Sequence, residues 1–128
     1  MEIEHLEEWI GQDVVDPAGE KVGKLTDLYY APGSEDPVAV SVKTGTIGKS
    51  LNLAPLERAS ITRSYLRVKF DKKAFKKAPQ VQEAADAPAA TVAETGEHFG
   101  VVLPPGDLES GVRRKQQAEA AAAATPRA

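Results

Sequence analysis

Val38, Val40 and Val42 alternate with Ala39, Ser41 and Lys43. This period of two gives a strand one apolar face and one small or polar face. The same kind of signal recurs along the first part of the chain. Ile10 to Asp16 reads as a strand, and Pro17-Ala18-Gly19-Glu20 turns it into a second, Lys21 to Ala31. Pro32-Gly33-Ser34-Glu35-Asp36 leads into the valine strand, and Lys49 to Leu56 makes a fourth strand with Leu51 and Leu53 inward. Ala59 to Thr62 and Tyr65 to Phe70 form a hairpin across Arg63-Ser64, with Leu66, Val68 and Phe70 on one face. Six short strands with such close turns predict a mostly β protein, a small six-stranded barrel. Asp71 then caps a short helix that buries Ala74, Phe75 and Ala78, exposes Lys72, Lys73, Lys76 and Lys77, and stops at Pro79.

The core signal ends there. Six of the seven aromatic residues precede Pro79, and the sequence then turns to Ala, Pro, Glu and Gln. So little apolar side chain does not offset the entropy of ordering a segment. The expected organisation is a domain over 1–79 and a flexible tail over 80–128. Two parts of the tail stand out: an apolar island at 97–105, able to dock on the domain or on a partner, and a helix-forming stretch over 107–124. A lone core of this size contributes only roughly 3 to 5 kcal/mol. Self-association is the natural further source of stability, and a homodimer is expected.

Cysteine is absent, so disulfides, thiolate metal ligation and a thiol nucleophile are excluded and a reducing compartment is compatible. Glutamates at 2, 4, 7 and 8 stand where a signal peptide would be basic and then apolar, and Ala120 to Ala124 is too short to cross a bilayer. The expectation is a cytoplasmic protein with no transmembrane segment.

Few motifs carry chemistry. Gly45-Thr46-Ile47-Gly48-Lys49-Ser50 ends like a phosphate-binding loop, but Lys43 occupies the required first glycine position and a strand, not a helix, follows. It reads as a surface loop. The two histidines, His5 and His98, cannot supply a three-residue zinc site without cysteine. Asp13, Asp16 and Asp27 invite a catalytic or cation-binding reading, yet no Asp-x-Asp-x-Asp-Gly loop accompanies them, and capped turns are the better account. No catalytic residue, cofactor or metal site is therefore predicted.

Ile10-Gly11-Gln12-Asp13-Val14-Val15-Asp16-Pro17-Ala18-Gly19-Glu20-Lys21-Val22-Gly23-Lys24-Leu25, followed by Asp27-Leu28-Tyr29, Pro37 to Gly45, Leu53-Ala54-Pro55-Leu56, Leu66-Arg67-Val68 and Lys77-Ala78-Pro79, resembles the PRC-barrel domain in order and spacing. The resemblance implies the barrel of the photosynthetic reaction centre H subunit and of the ribosome maturation factor RimM. It also implies an assembly or adaptor role without a general catalytic motif. The sequence reading expects neither the membrane helix of the first nor the N-terminal RNA-binding-type domain of the second.

The net charge of -3 hides an uneven distribution. Residues 1–48 sum to -7, residues 49–77 to +7 and residues 79–128 to -3. Either neighbouring strands compensate the blocks, or Arg63, Arg67, Lys69, Lys72, Lys73, Lys76 and Lys77 gather into a basic face around an exposed Tyr65. Of Tyr29 and Tyr30, one ring is expected inside and one outside, and Tyr29 joins the candidate contact residues. The function that follows is a non-enzymatic, dimeric interaction module with an unidentified protein partner. The alternative is an RNA- or ribosome-associated accessory protein using residues 63–77.

Overall fold

Two long neighbouring strands organise the computed structural model, which describes residues 9–44, 51–62, 65–75 and 77–124. They are β2 (Lys21–Tyr30) and β3 (Pro37–Lys43), antiparallel to each other. On one side β1 (Asp13–Val15) pairs antiparallel with β2 and parallel with β6 (Tyr65–Arg67), which carries β5 (Ser60–Ile61). On the other, β4 (Leu51–Pro55) pairs with β3 and then with β7 (Gln80–Val81). The sequence-predicted strands are present, but among the described residues the sheet has eight strands and is not closed into a barrel. The additional two, β7 and β8 (Glu109–Ser110), come from beyond Pro79, and β8 pairs with the last two residues of β2.

That contribution corrects the expectation of a disordered tail. After α1 (Lys72–Phe75) the chain adds β7, α2 (Ala89–Phe99), β8 and α3 (Gly111–Ala124). The helix-forming stretch expected over 107–124 becomes β8 followed by α3. Few large apolar residues were needed, because those present are well placed. Val92 and Phe99 are buried on α2, and Val81, Ala87 and Leu108 are buried around it.

The sheet consequently has a core on each face. Val40 and Val42 point into a first core with Val14, Leu25, Leu66 and Phe75. Tyr29, Ala39, Leu51 and Leu53 point into a second, roofed by Val92 and Leu108. Leu51 and Leu53 thus face away from the core that Val40 and Val42 build, contrary to the sequence reading. Ala39 and Ser41 are as buried as the valines, since the small face of β3 is where the C-terminal segment approaches. The apolar island also docks: Phe99 lies 4.8 Å from Phe70 and 5.5 Å from Phe75, ring centroid to centroid.

Gly23 sits at an irregularity between β1 and β2, where the register shifts between Val14 and Val15. A Cβ there would lie 2.2 Å from the Lys43 carbonyl oxygen, so a hydrogen is required by the close approach of β3. No described helix is long and apolar enough to cross a membrane.

Candidate interaction surface

The basic segment begins on β6, whose Arg67 stands opposite Val15 in the parallel ladder. The Arg67 guanidinium lies 5.9 Å from the centroid of the Tyr65 ring, and its Nη2 donates to the Tyr65 hydroxyl at 3.5 Å. Its Nε is buried without a hydrogen-bond partner among the described residues. Tyr65 itself is half-buried rather than fully exposed. Lys69 is exposed, with its ammonium 5.6 Å from the Phe70 ring centroid.

Two carboxylates then set the direction of α1. Asp71 Oδ1 accepts from the Lys73 amide at 2.9 Å, the predicted cap, and Asp16 Oδ2 accepts from the Lys72 amide at 3.3 Å. Lys72, Lys73 and Lys77 are thereby presented to solvent. The four ion pairs among the described residues involve none of Lys69, Lys72, Lys73 and Lys77. Arg63 and Lys76 lie outside the described residues, as do His5 and the loop over 45–50.

Tyr29 does not belong to this surface. Its ring is fully buried in the second core and its hydroxyl donates to the Ala85 carbonyl at 3.2 Å. Burial pushes that hydroxyl's pKa up, and the Asp27 charge adds to the effect. Tyr30 is the half-buried member of the pair, with the Arg114 guanidinium 4.5 Å from its ring centroid.

The three aspartates have three different tasks. Asp13 is partly exposed and pairs with Lys24 at 3.0 Å and Lys21 at 3.3 Å, which hold its carboxyl below the usual range. Asp16 closes the turn into β2: its Oδ1 accepts from the Ala18 and Glu20 amides, each at 2.9 Å. Desolvation pushes its carboxyl up, but the amide donors and the Lys72 charge outweigh it, so the pKa is lowered. Asp27 is 2% exposed. It accepts from the Ser110 hydroxyl, from the Leu28 amide at 2.7 Å and from the Val112 amide at 3.0 Å. Burial raises its pKa against the effect of these donors. The described residues contain no group of three or more His, Asp or Glu side chains able to hold a metal ion.

Asp27 is the anchor of α3, a role that sequence reasoning missed. Ser110 Oγ accepts from the Arg113 amide at 3.1 Å while donating to Asp27, and the Ser110 amide donates to Asp86 at 2.9 Å. Arg113 pairs with Asp86. Arg114 reaches Glu109 and donates to the Ser34 and Ala31 carbonyls at 2.7 and 3.2 Å. A cleft of about 430 Å³ remains beside this joint, lined by Tyr30, Glu35 and Lys115 among others. The available signal was a serine three residues before Arg113 at the start of a helix-forming run, an N-cap pattern inside low-complexity sequence.

One family model, described as PRC-barrel domain, matches residues 1–75, more than half of the chain. No curated protein matches the sequence.

Proposed function

The chain belongs to the PRC-barrel family, and from that premise we propose that it is a non-enzymatic, cytoplasmic adaptor that works as a homodimer and holds an acidic protein partner on the surface of β6 and α1. The family assignment supports a small interaction or assembly module. The observation that carries the choice of surface is the set of exposed ammonium groups on Lys69, Lys72, Lys73 and Lys77, none in an ion pair among the described residues. Unpaired like charges on one short segment raise the local positive potential and steer an anionic partner. Arg67 over the Tyr65 ring adds an amphipathic contact group at the segment's start.

The test is affinity capture from the native host with the wild-type chain and with a Lys69→Glu, Lys72→Glu, Lys73→Glu and Lys77→Glu variant, each with and without nuclease. A protein retained by the wild type after nuclease and lost by the variant is the expected result. Equal retention by both sinks the surface assignment. A second reading, RNA binding, draws on the guanidinium and aromatic pair beside several lysines, and loss of the captured partner on nuclease treatment would favour it.

A further inference from the structure

After α2 the side chains of residues 101–103 alternate in burial. Val101 packs against the first core and Leu103 against the second, which turns Val102 outward. Val102 is 98% exposed, far above the 39% of Ile10, the other exposed large apolar residue described.

Val102 stands between two open apolar recesses. One, of about 570 Å³, is lined by Val38 and Leu56 and carries Glu57 and Arg58. The other, of about 730 Å³, is lined by Val92, Ala93 and Gly96 of α2 and carries Glu97. Arg58 and Glu97 are both exposed, and neither is in an ion pair among the described residues. Arg58 is also held at φ 59°, in the left-handed region that a non-glycine residue occupies only at a cost.

We propose that this face is an interface between two copies of the chain, with the Val102 of each seated in the α2 recess of the other and the Arg58 of each facing the Glu97 of the second copy. The inference rests on the dimeric reading above and supplies its surface. A two-fold interface uses the same patch twice, so the patch must be its own complement. This one contains a projection and recesses of apolar character, with Arg58 beside Glu57 at the rim of one recess and Glu97 at the rim of the other. A two-fold axis parallel to the strip brings the Arg58 side of one copy over the Glu97 side of the other.

Sedimentation equilibrium of the full chain tests it, using wild type, Val102→Asp, Arg58→Glu, Glu97→Arg and the combined Arg58→Glu, Glu97→Arg variant. All three positions are exposed, and circular dichroism checks that each variant folds. The wild type is expected to dimerise at concentrations of about tens of micromolar. Val102→Asp should weaken association by about tenfold or more. Each charge reversal should weaken it, and the combined variant should recover it. A wild-type monomer over that range overturns both the dimer and this face. A dimer that Val102→Asp and Arg58→Glu leave intact overturns this face alone.

Discussion

The Asp27 carboxylate, in the middle of β2, accepts a hydrogen bond from the Ser110 hydroxyl 83 residues further along the chain. It also takes the Val112 amide from the first turn of α3. One buried acid therefore joins the segment matched by the family to the segment that follows it. The same arrangement caps α3 from outside its own sequence. Gly111 suits the close approach, because a Cβ there would lie at a tight 3.2 Å from the Leu28 carbonyl oxygen and 3.1 Å from the Tyr30 ring.

Asp27→Ala leaves the Val112 amide and the Ser110 hydroxyl without their acceptor in a buried site. Each unsatisfied donor costs about 1 to 3 kcal/mol, so the variant should lose about 3 kcal/mol or more in urea unfolding. Ser110→Ala, which removes a cap, should lose about 1 to 2 kcal/mol. Amide exchange at Val112 and Arg113 should accelerate in both. A stability of Asp27→Ala within about 0.5 kcal/mol of wild type would show that the joint is not holding the helix.

The same carboxylate gives the stability a definite slope with pH. Burial raises its pKa in the folded state above the unfolded value of 3.8, so between those two values the folded chain binds more protons than the unfolded chain. Its contribution is fully present below 3.8 and is lost as pH rises through the raised folded value. Asp16 runs the other way: its lowered folded pKa gives a contribution present above 3.8 that is lost as pH falls through that lower value. Asp27→Asn removes the first effect only. The stability of wild type relative to Asp27→Asn should therefore decline as pH rises from 3.8, and a difference independent of pH would refute the assignment.

What the sequence made legible was local. Val38, Val40 and Val42 announced β3 through alternation, and Asp71 announced α1 through its cap, because both signals lie within a few residues. What stayed hidden depended on a covering partner. Tyr29, Leu51 and Leu53 belong to the second core only because Val92 and Leu108 roof it, and composition alone made the roof look disordered. The anchor was hidden for the same reason, since neither Asp27 nor Ser110 carries a local signal of the other. The lysines of the candidate surface were readable as a charge run, whereas the half-burial of Tyr65 was not.

Gly23→Ala should be among the most damaging single substitutions in the sheet. The new methyl would meet the Lys43 carbonyl oxygen at 2.2 Å and its carbon at 2.8 Å, both backbone atoms of a paired strand. Relief requires β2 and β3 to move apart, at a cost of about 3 kcal/mol. Thermal unfolding would read this as a clear fall in Tm, and an unchanged Tm would mean that the strands are not packed this closely.

Replacing Lys69, Lys72, Lys73 and Lys77 together by Gln should do the opposite: little to the fold and much to binding. These side chains are exposed and make no ion pair among the described residues, so stability should stay within about 0.5 kcal/mol of wild type. Lys72 helps hold Asp16 ionised only through its amide and its charge, and the amide remains in the variant. Binding of the partner should weaken, and its dependence on salt identifies what the partner is. Single-stranded RNA releases counterions, so the slope of log affinity against log salt should fall by about 0.7 for each phosphate-contacting lysine removed. A protein partner has no such condensed ion atmosphere, and its slope should be shallower in the wild type and change less in the variant. Titration of both proteins over a range of salt concentrations separates the two. Equal affinity of variant and wild type at every salt concentration would remove the lysines from the binding surface altogether.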